Sequence, residues 1–129
     1  MNLNSIEALL HTLKDCKGAI KPLEDALAEN PQSVTANHLL GLCLLRLNRY
    51  SESIKYLDKA KSLNPNTKGI HLDLGTAYLA AGNLNQALSE FKETIRENPK
   101  SGIAYYNLGY TEFRLKNYKE AISAFDKAP

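Results

Sequence analysis

Short motifs recur along the sequence at a fixed interval of 34 residues, and this regularity constrains the fold more than any other feature. The dipeptide Asn-Pro occurs at residues 30–31, 64–65 and 98–99, and Leu-Gly occurs at 40–41, 74–75 and 108–109. Three further columns keep the same step: Ala19, Ser53, Ala87 and Ala121; Leu23, Leu57, Phe91 and Phe125; Ala26, Ala60, Thr94 and Ala128. A fixed period of this kind predicts an array of small units, each packed against its neighbours.

Each period contains two helices, because its apolar residues recur at helical spacing. In the last unit, Ala104, Leu108 and Leu115 share one face, and Ala121 and Phe125 share another. The predicted first helices span residues 35–47, 69–81 and 103–115, and the second helices begin near Ser51, Asn85 and Lys119. Each Asn-Pro ends a second helix, since proline disfavours helical geometry in the residue before it.

The glycine column has a packing explanation. Gly41, Gly75 and Gly109 lie in the middle of predicted helices, where glycine costs roughly 1 kcal/mol relative to alanine. Such a cost is tolerated where a neighbouring helix comes too close for a side chain. The sequence therefore predicts tight contacts between the two helices of each unit.

In these columns the chain resembles the tetratricopeptide repeat family, whose repeat is typically about 34 residues long. The family pattern is Leu-Gly, then an aromatic or Leu, Ala, Phe or Leu, Ala and Pro. The second unit matches it with Leu40, Gly41, Tyr50, Ser53, Leu57, Ala60 and Pro65; the third and fourth units match it with Leu74, Gly75, Tyr78, Leu84, Ala87, Phe91 and Pro99, and with Leu108, Gly109, Tyr118, Ala121, Phe125 and Ala128. The resemblance implies an all-α fold, a right-handed superhelical solenoid of antiparallel helix pairs.

The resemblance divides the chain into four units that together form one domain. They are a degenerate N-terminal repeat over residues 1–33, repeats over 34–67 and 68–101, and an incomplete C-terminal repeat over 102–129. In the first unit Glu7 replaces the glycine, and Gly18 and Pro22 are expected to delay or kink the second helix. The family's early tryptophan is replaced by Leu3, Asn37, His71 and Tyr105.

The family binds its partners in a concave groove lined by first helices. Its groove positions fall here on residues of three units: His38, Leu42 and Arg46; Leu72, Asp73 and Thr76; Ile103, Tyr106, Asn107, Tyr110, Phe113 and Arg114. Apolar and aromatic side chains in a groove suit a hydrophobic or amphipathic peptide. We therefore predict a scaffold or adaptor that binds a protein or peptide, with packing between repeats as the alternative role for the leucines.

The C-terminal end predicts a second surface. The family pattern would continue for about six residues past Pro129. The last helix is accordingly expected to expose Ala121, Ile122 and Phe125 where a next repeat would stack. The chain is then either a fragment of a longer array, with a structural or regulatory role, or a homo-oligomer that associates through this helix.

Several other functions are disfavoured. The carboxylate clamp that some family members use is absent, since His38, Leu42, Asp73, Ile103 and Asn107 occupy its positions. No catalytic motif is present, so an enzyme is not expected. The carboxylates of the second helices are expected on solvated faces: Glu24, Asp58, Glu90, Glu93 and Asp126.

Metal, cofactor and nucleic-acid binding are not expected either. His71 and Asp73 are two residues apart, which places them on different sides of a helix. The groove has only Arg46 and Arg114 as cations, and the net charge is +2, too little for nucleic acid.

Cys16 and Cys43 predict packing residues in a reducing compartment. Because no signal peptide or membrane span is recognisable, we expect a cytoplasmic protein.

Overall fold

The structure, a computed structural model, describes residues 15–128. This part of the chain forms seven α-helices and no strand. They are α1 (Cys16–Glu29), α2 (Val34–Arg46), α3 (Tyr50–Leu63), α4 (Ile70–Ala81), α5 (Leu84–Glu97), α6 (Gly102–Arg114) and α7 (Tyr118–Lys127). The predicted all-helical fold is confirmed, and the helix bounds from α2 to α6 agree with the sequence within one residue where it predicted them. The predicted features at Leu3, Glu7 and Pro129 lie outside the described residues.

The two helices of each pair are joined by a turn with one residue in the left-handed region. Asn48 between α2 and α3 has a φ of 63°, Gly82 between α4 and α5 has 85°, and Lys116 between α6 and α7 has 67°. A residue in this conformation ends the first helix and reverses the chain, which makes the helices of the pair antiparallel.

Between pairs, each asparagine of the Asn-Pro column ends a second helix. The side-chain oxygen of Asn30 accepts a hydrogen bond from the backbone N–H of Gln32, and Asn64 and Asn98 do the same two residues further on. Ser33 and Ser101 then cap α2 and α6 by accepting from the N–H groups three residues later. These local bonds explain why the ends of the second helices and the starts of α2 and α6 could be predicted from the sequence.

The expectation that Gly18 and Pro22 delay α1 is wrong. α1 begins at Cys16, in the same column as the starts of α3, α5 and α7. The carboxylate of Asp15 accepts a hydrogen bond of 2.8 Å from the N–H of Gly18, so the first turn is capped despite the glycine. Pro22 lies inside the helix, where it removes one backbone donor.

The helices belong to two compact units, and the boundary falls between Ile70 and His71. In the first unit, α1 and α2 enclose a buried cluster that contains Leu23, Leu40 and Leu44. In the second unit, Leu74 and Phe91 are fully buried. No helix within residues 15–128 has both the length and the apolar character needed to cross a bilayer.

The predicted tight contacts at the glycine column are confirmed. A Cβ atom placed on Gly41 would lie 2.6 Å from Leu57, and one on Gly75 would lie 2.6 Å from Phe91. Both distances are shorter than carbon atoms tolerate. Glycine in this column therefore sets how closely the two helices of a pair approach.

Candidate functional site

The large apolar side chains that the described residues expose all lie on α6 and α7. They are Ile103, Tyr106, Tyr110, Phe113, Tyr118, Ile122 and Phe125. The four on α6 and the three on α7 each recur at steps of three or four residues, so each set forms a stripe along one helix face. We call these seven residues the α6–α7 apolar surface.

Two aromatic contacts join the stripes into one surface. The ring centroids of Tyr106 and Phe125 are 5.7 Å apart, and those of Phe113 and Tyr118 are 5.6 Å apart with an edge-on orientation. Aromatic pairs at such separations attract each other. The groove residues of α6 and the exposed residues of α7, which the sequence predicts as separate surfaces, are therefore continuous.

The same columns are covered one repeat earlier. The positions that correspond to six of the seven residues, from Tyr106 to Phe125, are half-buried or buried: Leu72, Thr76, Leu79, Leu84, Leu88 and Phe91. They lie on α4 and α5, and α6 packs against α5. The α6–α7 apolar surface thus has the side-chain layout of a face that accepts another helix.

Polar groups lie at one edge of this surface. The guanidinium group of Arg114 lies 5.9 Å from the ring centroid of Tyr110, and its Nη1 atom donates a 3.5 Å hydrogen bond to the backbone oxygen of Leu79. Arg114 remains exposed. The half-buried Asn107 lies one residue from Tyr106 on the same helix. The edge therefore offers a positive charge and an amide beside the aromatic rings.

The other groove candidates are less exposed. His38 and Leu42 on α2 are half-buried, and Arg46 is exposed with its Nη1 atom 4.0 Å from the sulfur of Cys16. On α4, Leu72, Asp73 and Thr76 are half-buried as well, and the hydroxyl of Thr76 donates to the backbone oxygen of Leu72. Their role in binding stays a prediction, whereas Tyr106, Tyr110 and Phe113 are accessible to a partner.

The expectation that Ala121 is exposed is wrong. Ala121 is only 2% exposed, because it belongs to the column of small residues that face the paired helix. Its neighbour Ile122, one helical position away, is 62% exposed. Of the three residues predicted for self-association, Ile122 and Phe125 are therefore the two that a second copy could contact.

A half-buried contact between a histidine of α4 and a glutamate of α5 was not predicted from the sequence. The Nδ1 atom of His71 lies 2.7 Å from Oε1 of Glu90, and the two side chains are 15% and 11% exposed. The expectation that Glu90 lies on a solvated face is wrong, since His71 covers it. The signal for this pair was a histidine in the family's tryptophan column, together with a glutamate on the facing helix of the same unit.

Comparisons with known proteins agree with this architecture. Two family models described as tetratricopeptide repeat match residues 10–72 and 72–129. No curated protein sequence matches the chain significantly.

Among solved structures, a crystal structure of MamA is 25% identical with a TM-score of 0.87 over 98% of this chain and 76% of that chain. MamA from Desulfovibrio magneticus is 21% identical with a TM-score of 0.90 over 98% of this chain and 71% of that chain. At such identities the likeness establishes the fold.

Proposed function

This chain belongs to the tetratricopeptide repeat family, and on that premise we propose that its α6–α7 apolar surface binds an amphipathic helix of a protein partner. The family and the fold support a protein-interaction scaffold in general. The observation that carries the specific proposal is the concentration of all seven exposed large apolar side chains of the described residues on this one helix pair.

A helix is the occupant that the repeat geometry favours. The matching surface of α4 and α5 is covered in part by α6, which is a helix of this same array. An amphipathic helix presents apolar residues at steps of three and four, which fits stripes of the same spacing. An extended peptide would instead alternate its side chains between two faces and leave half of them unpaired.

The exposed aromatic rings supply the binding energy in this proposal. Tyrosine and other aromatic residues dominate binding hot spots because they bury large areas with few rotatable bonds. Tyr106 is 58% exposed, although its ring already packs on Phe125, so it is held in place before a partner arrives. Arg114 adds a positive charge at the edge, and we expect an acidic residue at the border of the partner's apolar face.

A phage-displayed library of amphipathic helical peptides, selected against the whole chain, tests the proposal. We expect the enriched peptides to bind Tyr106→Ala/Tyr110→Ala at least about tenfold more weakly, as for loss of two hot-spot residues. Glu120→Ala/Ser123→Ala is the matched control, because both residues are exposed on α7 but lie outside the apolar stripe. Equal affinity for the wild type and the tyrosine variant would overturn the assignment of the surface.

Self-association is a second candidate function, favoured by the exposure of Tyr118 and Ile122 on α7. An exposed apolar stripe on one helix can pair with its own copy about a twofold axis. The same surface cannot hold a partner helix and a second copy at once. The two functions therefore differ in a measurable way, since a bound peptide would compete with any dimer.

A further inference from the structure

Four ionisable side chains of α4 and α5 lie close together within one repeat. His71 comes from α4, and Glu90, Glu93 and Glu97 come from α5 at steps of three and four residues. One ligand atom each from His71, Glu93 and Glu97 lies within 4.8 Å of the other two. We propose that these three residues bind a divalent transition-metal ion of the zinc class, with Glu90 as a positioning residue.

The orientation of His71 is the first argument. Its Nδ1 atom lies 2.7 Å from the carboxylate of Glu90, so the neutral ring carries its proton on Nδ1 and donates it to Glu90. The lone pair is then on Nε2, which lies 3.9 Å from Oε1 of Glu97. Histidine ligands of metal ions are held in this way, with a carboxylate on the other ring nitrogen.

The ligand spacing is the second argument. Glu93 and Glu97 are four residues apart on one helix, so both reach the same side. Ligand atoms around a tetrahedral zinc ion lie about 3.3 Å apart, given bonds of about 2 Å. The three ligand atoms, which lie within 4.8 Å of one another, would need to move closer together. Glu93 and Glu97 can move because their side chains are 36% and 43% exposed. The fourth coordination position of the zinc ion would stay open to a water molecule.

The other repeats lack this set, although they share the backbone. The corresponding positions of the preceding repeat are Asn37, Tyr56, Lys59 and Leu63, and those of the following repeat within the chain are Tyr105, Ala124 and Lys127. Asn37 is buried and bonds to the backbone oxygens of Pro31 and Ser33, a purely structural role. The ligand set is therefore specific to one repeat and is not required by stacking.

Arg96 competes with the proposed metal ion for the carboxylate of Glu93. Its guanidinium group forms a hydrogen-bonded ion pair with Glu93, which lowers the pKa of that carboxyl group and keeps it charged. A metal ion would have to displace this pair. We therefore expect Arg96→Ala to bind the ion several-fold more tightly than the wild type, an effect that a site elsewhere on the chain would not show.

Isothermal titration of the full, tag-free chain with ZnCl2 tests the proposal. We expect one ion per chain, no response to MgCl2 or CaCl2, and at least tenfold weaker binding for Glu97→Gln and for Glu93→Gln. Glu90→Gln should weaken binding about tenfold, as for a lost partner of a histidine ligand. Glu120→Gln, an exposed glutamate on α7, should leave the affinity unchanged.

A wild type that takes up no zinc in the micromolar range would overturn the proposal. Binding that survives both Glu97→Gln and Glu93→Gln would also overturn it, because the ion would then be held elsewhere, for example at His38. Circular dichroism of each variant separates loss of binding from loss of fold. None of these outcomes depends on whether the α6–α7 apolar surface binds a helix.

Discussion

The ring of Phe125 lies against the backbone of Gly109 so closely that a Cβ atom on Gly109 would be 2.8 Å from ring atom Cδ1. The same contact joins Gly75 and Phe91 one repeat earlier, at 2.6 Å. The two phenylalanines differ in their surroundings, because Phe91 is fully buried and Phe125 is partly exposed. The two glycine–phenylalanine contacts are equivalent in the repeat, but Phe125 has more room than Phe91 to move away from the glycine.

We expect Gly75→Ala to destabilise the chain more than Gly109→Ala. Alanine gains roughly 1 kcal/mol of helix propensity at either position, but overpacking a rigid core costs about 1–3 kcal/mol. Phe91 is fully buried, so Gly75→Ala should lose up to about 2 kcal/mol net. Phe125 can turn toward solvent, so Gly109→Ala should lose less, with a change in stability below about 1 kcal/mol. Urea denaturation followed by circular dichroism measures both. Equal losses would show that Phe125 is held as firmly as Phe91.

We expect Ser53→Ala to be mild. The hydroxyl of Ser53 donates a buried 2.7 Å hydrogen bond to the backbone oxygen of Gly41. Its loss should cost about 1 kcal/mol, since that oxygen also accepts the helical bond within α2. Alanine fits the site, as Ala19 and Ala87 do in the same column. Ser53→Val adds carbon atoms next to Gly41 and should cost about 1–3 kcal/mol by overpacking. Matching unfolding midpoints for the two variants would contradict this account.

We expect both cysteines to resist Ellman's reagent in the folded chain. Cys16 and Cys43 are buried, and burial, followed by a hydrogen bond with Cys16, raises the pKa of the Cys43 thiol. The thiolate is the reactive form, so labelling should wait for unfolding and then reach two thiols per chain. Ser89→Cys, on an exposed position of α5, should add one thiol that reacts at once. Rapid labelling of two thiols in the native wild type would contradict the packing at Cys43.

The helices of this fold could be predicted because their signals are local and repeated. The Asn-Pro column marks the ends of α1, α3 and α5, where each asparagine forms a bond that reaches only two residues along the chain. The glycine column predicted the tight helix pairs, since a mid-helix glycine is costly unless a neighbouring helix needs the space. Both kinds of signal occur three times at the same interval, so each occurrence supports the interpretation of the others.

The features that could not be predicted depend on contacts between helices. Glu90 looks like any surface carboxylate along α5 until His71 of α4 covers it. Ala121 and Ile122 are neighbours in sequence, yet about 100° of rotation around the helix separates a buried side chain from an exposed one. The link between the two apolar stripes rests on the contacts of Tyr106 with Phe125 and of Phe113 with Tyr118, which spacing within one helix does not reveal.

Self-association is best tested at Ile122. Phe125 is a poor probe, because its ring packs on Tyr106 and Gly109 and a charge there would also disturb the helix pair. Ile122 is 62% exposed, so Ile122→Glu leaves the fold intact while it places a charge in the stripe. If copies associate through α7, sedimentation at increasing concentration should show an oligomer for the wild type and at least about tenfold weaker association for Ile122→Glu, as for a lost hot spot.

The matched control for this test is Ser123→Glu, which adds the same charge at the next exposed position of α7 but outside the stripe. It should associate like the wild type, because a charge beside the stripe remains in water when the stripe is covered. An oligomer that survives Ile122→Glu is not held by this face. A wild type that stays monomeric leaves the face accessible, and the helical peptides that bind the α6–α7 apolar surface should then lose affinity for Ile122→Glu but not for Ser123→Glu.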